Sequence, residues 1–248
     1  MDTESRPRIM LRTAAHGVNC ADCALNPVCL PPAVNIADLE RLNSIIERNR
    51  PLLRGALLFH EGMLFESVFV VRSGALKTLV TLPSGQEQIT GFHLPGELVG
   101  LDSVGLPSYA STAVALENTA VCTVPFTELE GLSRQLPSLQ HHLFKLMSAE
   151  IRTDHQFMQL LSQRPAEERV AAFLLSIAAR FKRRHLSDVD IHLPMTRGDL
   201  GNHLGLTLET TSRIFTRLQH QGLLAVDGKE IRILDRTRLC ALADPQQD

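Results

Sequence analysis

Apolar and polar positions along this 248-residue chain change rhythm from one stretch to the next. Ile36, Leu39, Leu42, Ile45 and Ile46 recur at helical spacing behind Asn35, a good N-cap residue. From Leu57 to Pro125, short apolar runs such as 67–71, 75–80 and 119–124 alternate with breaks. The breaks hold Gly62, Ser73-Gly74, Pro83-Ser84-Gly85, Pro95-Gly96 and Gly105. Turns at intervals of roughly 8–12 residues predict an antiparallel β-roll or sandwich.

Between Pro137 and Ser162 there is no glycine and no internal proline. Phe144, Met147, Ile151, Asp154, Met158 and Leu161 follow one another at steps of 3, 4, 3, 4 and 3. That is the seam of a two-helix interface rather than a wide core stripe. The other reading is a helix packed on its own β-roll. Asp154 is the polar member of the seam. In a symmetric pair it approaches its own copy, and desolvating two carboxylates together is costly. A weak dimer, tuned for another signal to decide, is the expectation; an outward-leaning Asp154 would cost nothing.

Residues 167–181 form a further amphipathic helix, with Val170, Phe173, Leu174, Ile177 and Phe181 inside. Thr196 and Asp199 then make a capping box for a helix through about Leu204. Gly205-Leu206-Thr207 is a corner, and a second helix runs from about Leu208 to Gln219. Ile214 and Leu218 face the first helix, while Glu209, Thr210, Ser212, Arg213, Thr216 and Arg217 lie on the other face. This is helix-turn-helix spacing, in which the second helix enters the DNA major groove. Glu209 and Arg213 can pair with each other, or can read cytosine and guanine edges. Residues 223–226 and 229–233, joined by Asp227-Gly228, read as a hairpin on a two-residue turn. Together these make a winged helix, for DNA or for protein interaction.

Composition changes this picture little. The net charge is −2. Residues 1–163 carry 12 Lys and Arg against 16 Asp and Glu, and residues 164–240 carry 13 against 9. The basic part is the predicted DNA module. No apolar run is long enough to span a bilayer, and Met1–Leu11 is polar without the apolar core of a secretory signal. A cytoplasmic location, where thiols stay reduced, is expected. No catalytic acid, base or nucleophile arrangement stands out.

The cysteines do change it. Cys20, Cys23 and Cys29 fall within ten residues, followed at once by Pro31 and Pro32. Such a loop suits metal or redox chemistry better than packing. Cys122, in a strand-like segment, can supply a fourth thiolate. Four thiolates suit tetrahedral zinc or an iron–sulfur cluster, and three-plus-one spacing is commoner for clusters. Cys240, beside apolar residues, reads as a buried structural thiol.

In order, these pieces resemble the cyclic-AMP receptor protein superfamily. The closer likeness is to its FNR/Anr-type anaerobic regulators. It rests on Cys20-x2-Cys23-x5-Cys29, on residues 89–100 (ITGFHLPGELVG), on Val121-Cys122, on Ala166-Glu-Glu-Arg169 and on residues 208–213 (LETTSR). The resemblance implies an α+β fold: an N-terminal cyclic-nucleotide-binding-like antiparallel β-roll, a long dimerisation helix and a C-terminal winged helix-turn-helix. It implies domains at 1–30, 31–137, 138–163 and 164–248. It implies that Cys20, Cys23, Cys29 and Cys122 bind a [4Fe-4S] cluster, which oxygen converts to [2Fe-2S] and then apo forms, dissolving a DNA-binding homodimer. It implies a palindromic TTGAT-type site on double-stranded DNA, read by Glu209, Ser212 and Arg213, with Thr210 and Arg217 on the same helix. It implies RNA polymerase contacts near Ser73, Gly85, Asn118 and Arg184. One departure discriminates: cyclic-nucleotide binders carry an arginine for the phosphate after Gly-Glu-Leu, and here none occurs from Leu98 to Thr112. No cyclic nucleotide is expected. The rivals are a cyclic-nucleotide-responsive regulator and a zinc-stabilised or redox enzyme carrying a winged helix.

Overall fold

The structure is a computed structural model that describes residues 19–244; Met1–Leu11 and the last four residues lie outside them. Residues 19–34 form three short 3-10 turns, Cys20–Asp22, Asn26–Val28 and Pro31–Ala33. Helix α1 spans Ile36–Ser44, and the Asn35 side chain accepts from the Asp38 N–H as its cap. Ile45 and Ile46 fall just past the helix end, yet Ile46 is buried.

Eight strands follow: β1 (Glu47–Arg48), β2 (Leu57–Phe59), β3 (Ser67–Ser73), β4 (Leu76–Thr81), β5 (Glu87–His93), β6 (Leu98–Val99), β7 (Thr112–Ala115) and β8 (Ala120–Pro125). They form two four-stranded sheets, ordered β1-β8-β3-β6 and β2-β7-β4-β5, with antiparallel pairs throughout. The predicted β-roll is there. Its apolar runs lack strict alternation because both faces of β3 are covered. Phe69 and Val71 enter a core between the sheets with Phe59, Leu76 and Tyr109. Val68 and Val70 pack on the opposite face with Leu30, Leu42, Leu129 and Leu139.

Helix α2 (Phe126–Gln135) was not foreseen in the sequence. The chain turns at Leu136, and α3 runs from Pro137 to Gln163 with proline in its first turn. At about 1.5 Å per residue, its 27 residues extend roughly 40 Å. Leu139 is its one buried residue among those described.

Helix α4 (Ala166–Arg183) opens the C-terminal part. Next come β9 (Asp190–His192), α5 (Arg197–Leu204), α6 (Leu208–His220), β10 (Leu224–Asp227), β11 (Glu230–Ile233) and α7 (Arg236–Ala243). The wing is three-stranded, ordered β10-β11-β9. Asp227 pairs with Glu230, so the hairpin turn is Gly228-Lys229, one residue later than the sequence predicts. The register of β10 against β11 decides this, and Gly228, at φ +57°, takes the first turn position in the left-handed region that glycine tolerates at no steric cost. The roll and the winged helix are not separate bodies with separate cores. Leu79, Ile89 and Phe92 of the roll share one apolar cluster with Phe173, Leu174 and Leu204.

Candidate metal centre and nucleic-acid interface

The four candidate ligands meet at one place. Cys20, Cys23, Cys29 and Cys122 line a single cleft on the outer face of the β1-β8-β3-β6 sheet. Cys122 lies 93 positions after Cys29 and arrives there through β8, paired across to Val70 on one side and to Arg48 on the other. The turn-rich loop is tied down locally. Asn26 Nδ2 donates to the Cys20 carbonyl at 3.1 Å, and Asn43 Oδ1 accepts from the Cys20 N–H at 3.2 Å. His142 Nε2, on α3, lies 3.2 Å from the Cys29 carbonyl oxygen, a bond that requires the Nε2–H tautomer. Val28 seats on the turn at Gly96. A Cβ there would stand 2.8 Å from Val28 Cγ2, and φ is +89°.

All four thiols are free. Burial pushes Cys29 up to about 12, the Leu30 N–H opposing. Burial also raises Cys20, against the pull of Arg48, and raises Cys122, against Arg48 and Arg72. Buried neutral thiols of this kind become ligands only by losing protons to a cation. Among the described residues, no three His, Cys, Asp or Glu side chains stand close enough to hold a metal ion. The sulfurs line the cleft rather than close on a point. Its donor chemistry fits a thiolate-bound centre: four sulfurs, apolar walls from Leu25, Ile46 and Val70, and two arginines. Arg48 and Arg72 were not foreseen as part of it; only the strand pairing brings them there. Cys240 differs from expectation. It is exposed on α7, because Leu239 is the residue of that helix that turns inward.

The helix-turn-helix is built as its capping residues dictate. Thr196 and Asp199 cap α5 reciprocally, Gly205 ends it at φ +66°, and Thr207 caps α6 by accepting from the Thr210 N–H. Gly201 lets the two helices touch, since a Cβ there would stand 2.8 Å from the Leu206 oxygen and 2.8 Å from Thr211 Oγ1. Ile214 and Leu218 are buried against this pair, whereas Glu209, Ser212 and Arg213 face solvent together. Glu209 and Arg213 are paired at 2.5 Å with side chains 73% and 76% exposed. Thr210 is half-buried and bonded to its own cap, and Arg217 reaches back to Glu167 at 2.9 Å. Arg169 of the Ala166–Arg169 motif is a brace: it donates to the Arg164 and Leu204 carbonyls.

The seam of α3 is open in the single chain. Phe144, Ile151 and Met158 are 61%, 54% and 58% exposed, and Met147 and Leu161 are half-buried. Asp154 is exposed among them; burial raises its carboxyl above the usual value, against the pull of His155. A different face of α3 packs inward, where Phe157 stacks on His203 at 4.2 Å.

Contacts between roll and winged helix were not foreseen either. Asn202 bonds the edge of β5 twice, accepting from the Ile89 N–H at 2.6 Å and donating to the Glu87 carbonyl at 2.7 Å. Lys77 pairs with Asp199 at 2.6 Å. Glu97 accepts from both Arg180 and Arg184. This places Arg184 differently from Ser73, Gly85 and Asn118, which are exposed. The Arg184 side chain is 7% exposed, bonded to Glu97 and to the Pro95 carbonyl.

Residues 49–135 match the cyclic nucleotide-binding domain family, and residues 168–242 match the Crp-like helix-turn-helix domain family. The transcriptional activator protein anr of Pseudomonas aeruginosa is 51% identical over 228 residues, 92% of this chain and 93% of that protein. The fumarate and nitrate reduction regulatory protein of Escherichia coli is 44% identical over 238 residues, 95% of each. The chain belongs to the FNR/Anr-type transcriptional regulators of the cyclic-AMP receptor protein superfamily. Among solved structures, FixK2 from Bradyrhizobium japonicum is similar, with a TM-score of 0.73 and 33% identity over 80% of this chain and 97% of that one. These FNR/Anr-type relatives are regulators of transcription, not enzymes. No described helix is long and apolar enough to cross a membrane.

Proposed function

We propose that this FNR/Anr-type regulator is an oxygen-responsive transcription factor of the cytoplasm that controls anaerobic gene expression. Cys20, Cys23, Cys29 and Cys122 hold a [4Fe-4S] cluster, which supplies an oxygen-labile centre when bound. The observation that carries this reading is the convergence of those four cysteines, from opposite ends of the roll, on one cleft beside α3. The loop that follows Cys29 packs against α3, so ordering it favours one placement of that helix. Pairing of two α3 seams through Phe144, Met147, Ile151, Met158 and Leu161 makes a homodimer, and Asp154 keeps it weak. Dimerisation sets two α6 helices about 34–36 Å apart, one DNA turn. Each reads a TTGAT-type half-site through Glu209, Ser212 and Arg213, with Thr210 and Arg217 beside them. Ser73, Gly85 and Asn118 form the surface for RNA polymerase.

The roll takes no cyclic nucleotide in this reading. In the arginine-free segment after Leu98, the Ser111 hydroxyl donates to the Asp102 carboxylate at 2.7 Å. A cyclic phosphate needs a cation there, and a carboxylate repels it.

Anaerobic purification tests the proposal. A brown protein with about four irons and four sulfides per chain, bleaching in air and losing a palindromic operator as it bleaches, is the expected result. A colourless zinc protein, or apo protein that holds the operator as tightly as the loaded form, overturns it.

A further inference from the structure

The thiol cleft contains a residue that no cysteine motif announces. Strand β1 is only two residues long, and its register sets Arg48 directly across from Cys122. The Arg48 side chain then reaches to the opposite wall. Its Nη2 lies 3.4 Å from Cys20 Sγ and 2.6 Å from Asn43 Oδ1, and its Nη1 lies 3.4 Å from the Ile46 carbonyl oxygen. The same Asn43 oxygen accepts the backbone N–H of Cys20. One planar fork therefore touches the first ligand of the loop and the side-chain amide that positions it, from a strand position directly across from the last ligand.

Charge points the same way. Arg48 and Arg72 are the charged residues lining the cleft, and among the described residues neither has a carboxylate within ion-pair distance. Half-buried cations without counter-ions are unfavourable unless an anion is due at the site. Four thiolates would supply it. N–H donors to ligand sulfur and nearby positive charge are established levers on thiolate-bound centres.

We infer that Arg48, oriented by Asn43, is a positioning residue of the metal centre: it holds Cys20 from the strand position facing Cys122 and offsets the charge of the thiolates, so that iron is retained. This rests on the cluster reading above. It predicts that the contact matters more in the loaded protein, where thiolates face the fork, than in the metal-free one.

The test compares wild type, Arg48→Gln and Arg48→Lys, each reconstituted without oxygen. Iron and sulfide content are measured first, then the rate of iron release to a ferrous chelator, then thermal unfolding of the metal-free forms. Arg48→Gln should release iron about tenfold faster, the loss expected for one charge-assisted bond. Arg48→Lys keeps the charge without the fork and should fall between. Metal-free stability should fall in both by less than the equivalent of the change in iron release. Release from Arg48→Gln at the wild-type rate overturns the inference and leaves the cluster reading intact. A faster release matched by an equal loss of metal-free stability also overturns it, because the role would then be structural. Wild type that takes up no iron overturns both readings.

Discussion

Replacing Glu97 by glutamine should loosen the joint between the roll and the winged helix. Glu97 is the shared counter-ion of Arg180 and Arg184, whose side chains are only 16% and 7% exposed; its own is 25% exposed. Burial by itself would raise the Glu97 carboxyl. Arg180, Arg184 and the Leu94 N–H outweigh burial and bring it from 4.5 down to about 2. At about 1.4 kcal/mol for each tenfold change in proton affinity, that drop corresponds to roughly 3 kcal/mol of stability. Removing one partner of a buried ion pair typically costs about 3–5 kcal/mol, which agrees. Because the folded-state value is depressed, the contribution is complete above the unfolded value of 4.5 and is lost as pH falls from there towards about 2. Urea unfolding of metal-free wild type and Glu97→Gln, followed from pH 7 down to pH 3, measures both features. The expected result is a gap of about 3 kcal/mol at pH 7 that narrows below about pH 4.5. A gap under about 0.5 kcal/mol at pH 7, or one that stays constant into acid, would refute the reasoning.

Four further outcomes are expected. Asp154→Ala should raise dimerisation of the metal-free protein in sedimentation measurements, and Ile151→Glu should lower dimerisation of the loaded form; an unchanged constant for Asp154→Ala would end the view that this carboxylate weakens the seam. Gly201→Ala should destabilise the winged helix by about 1–3 kcal/mol, since the new methyl meets the Leu206 carbonyl, and a wild-type melting temperature would contradict this. Arg213→Ala should cost about 1–3 kcal/mol on a TTGAT-type operator with little effect on nonspecific DNA; equal losses on both, measured at one salt concentration, would make Arg213 a phosphate contact instead.

Much of this was legible in advance because it is written within a few residues. Asn35, Thr196 and Thr207 cap helices through their own next turn, so α1, α5 and α6 start where the side chains say. The α3 seam and the turn glycines of the roll are equally local signals. Three of the four thiols sit on one short, turn-rich loop. The wing turn was misplaced by one residue because Asp227-Gly228 and Gly228-Lys229 both carry the glycine, and only the strand register chooses between them.

The rest is a matter of what lies across from what. That Cys122 joins the loop, that Arg48 stands between it and Cys20, and that Glu97 holds Arg184 away from the surface all follow from pairings between distant segments. The sequence by itself determined most of the elements, α2, β9 and α7 excepted, together with their order and the sulfur-rich loop, since hydrogen-bonded turns and apolar periodicity are settled by near neighbours. Only the tertiary structure decided the fourth ligand's company and the fate of each arginine, since a charged side chain takes the partner that packing brings within reach.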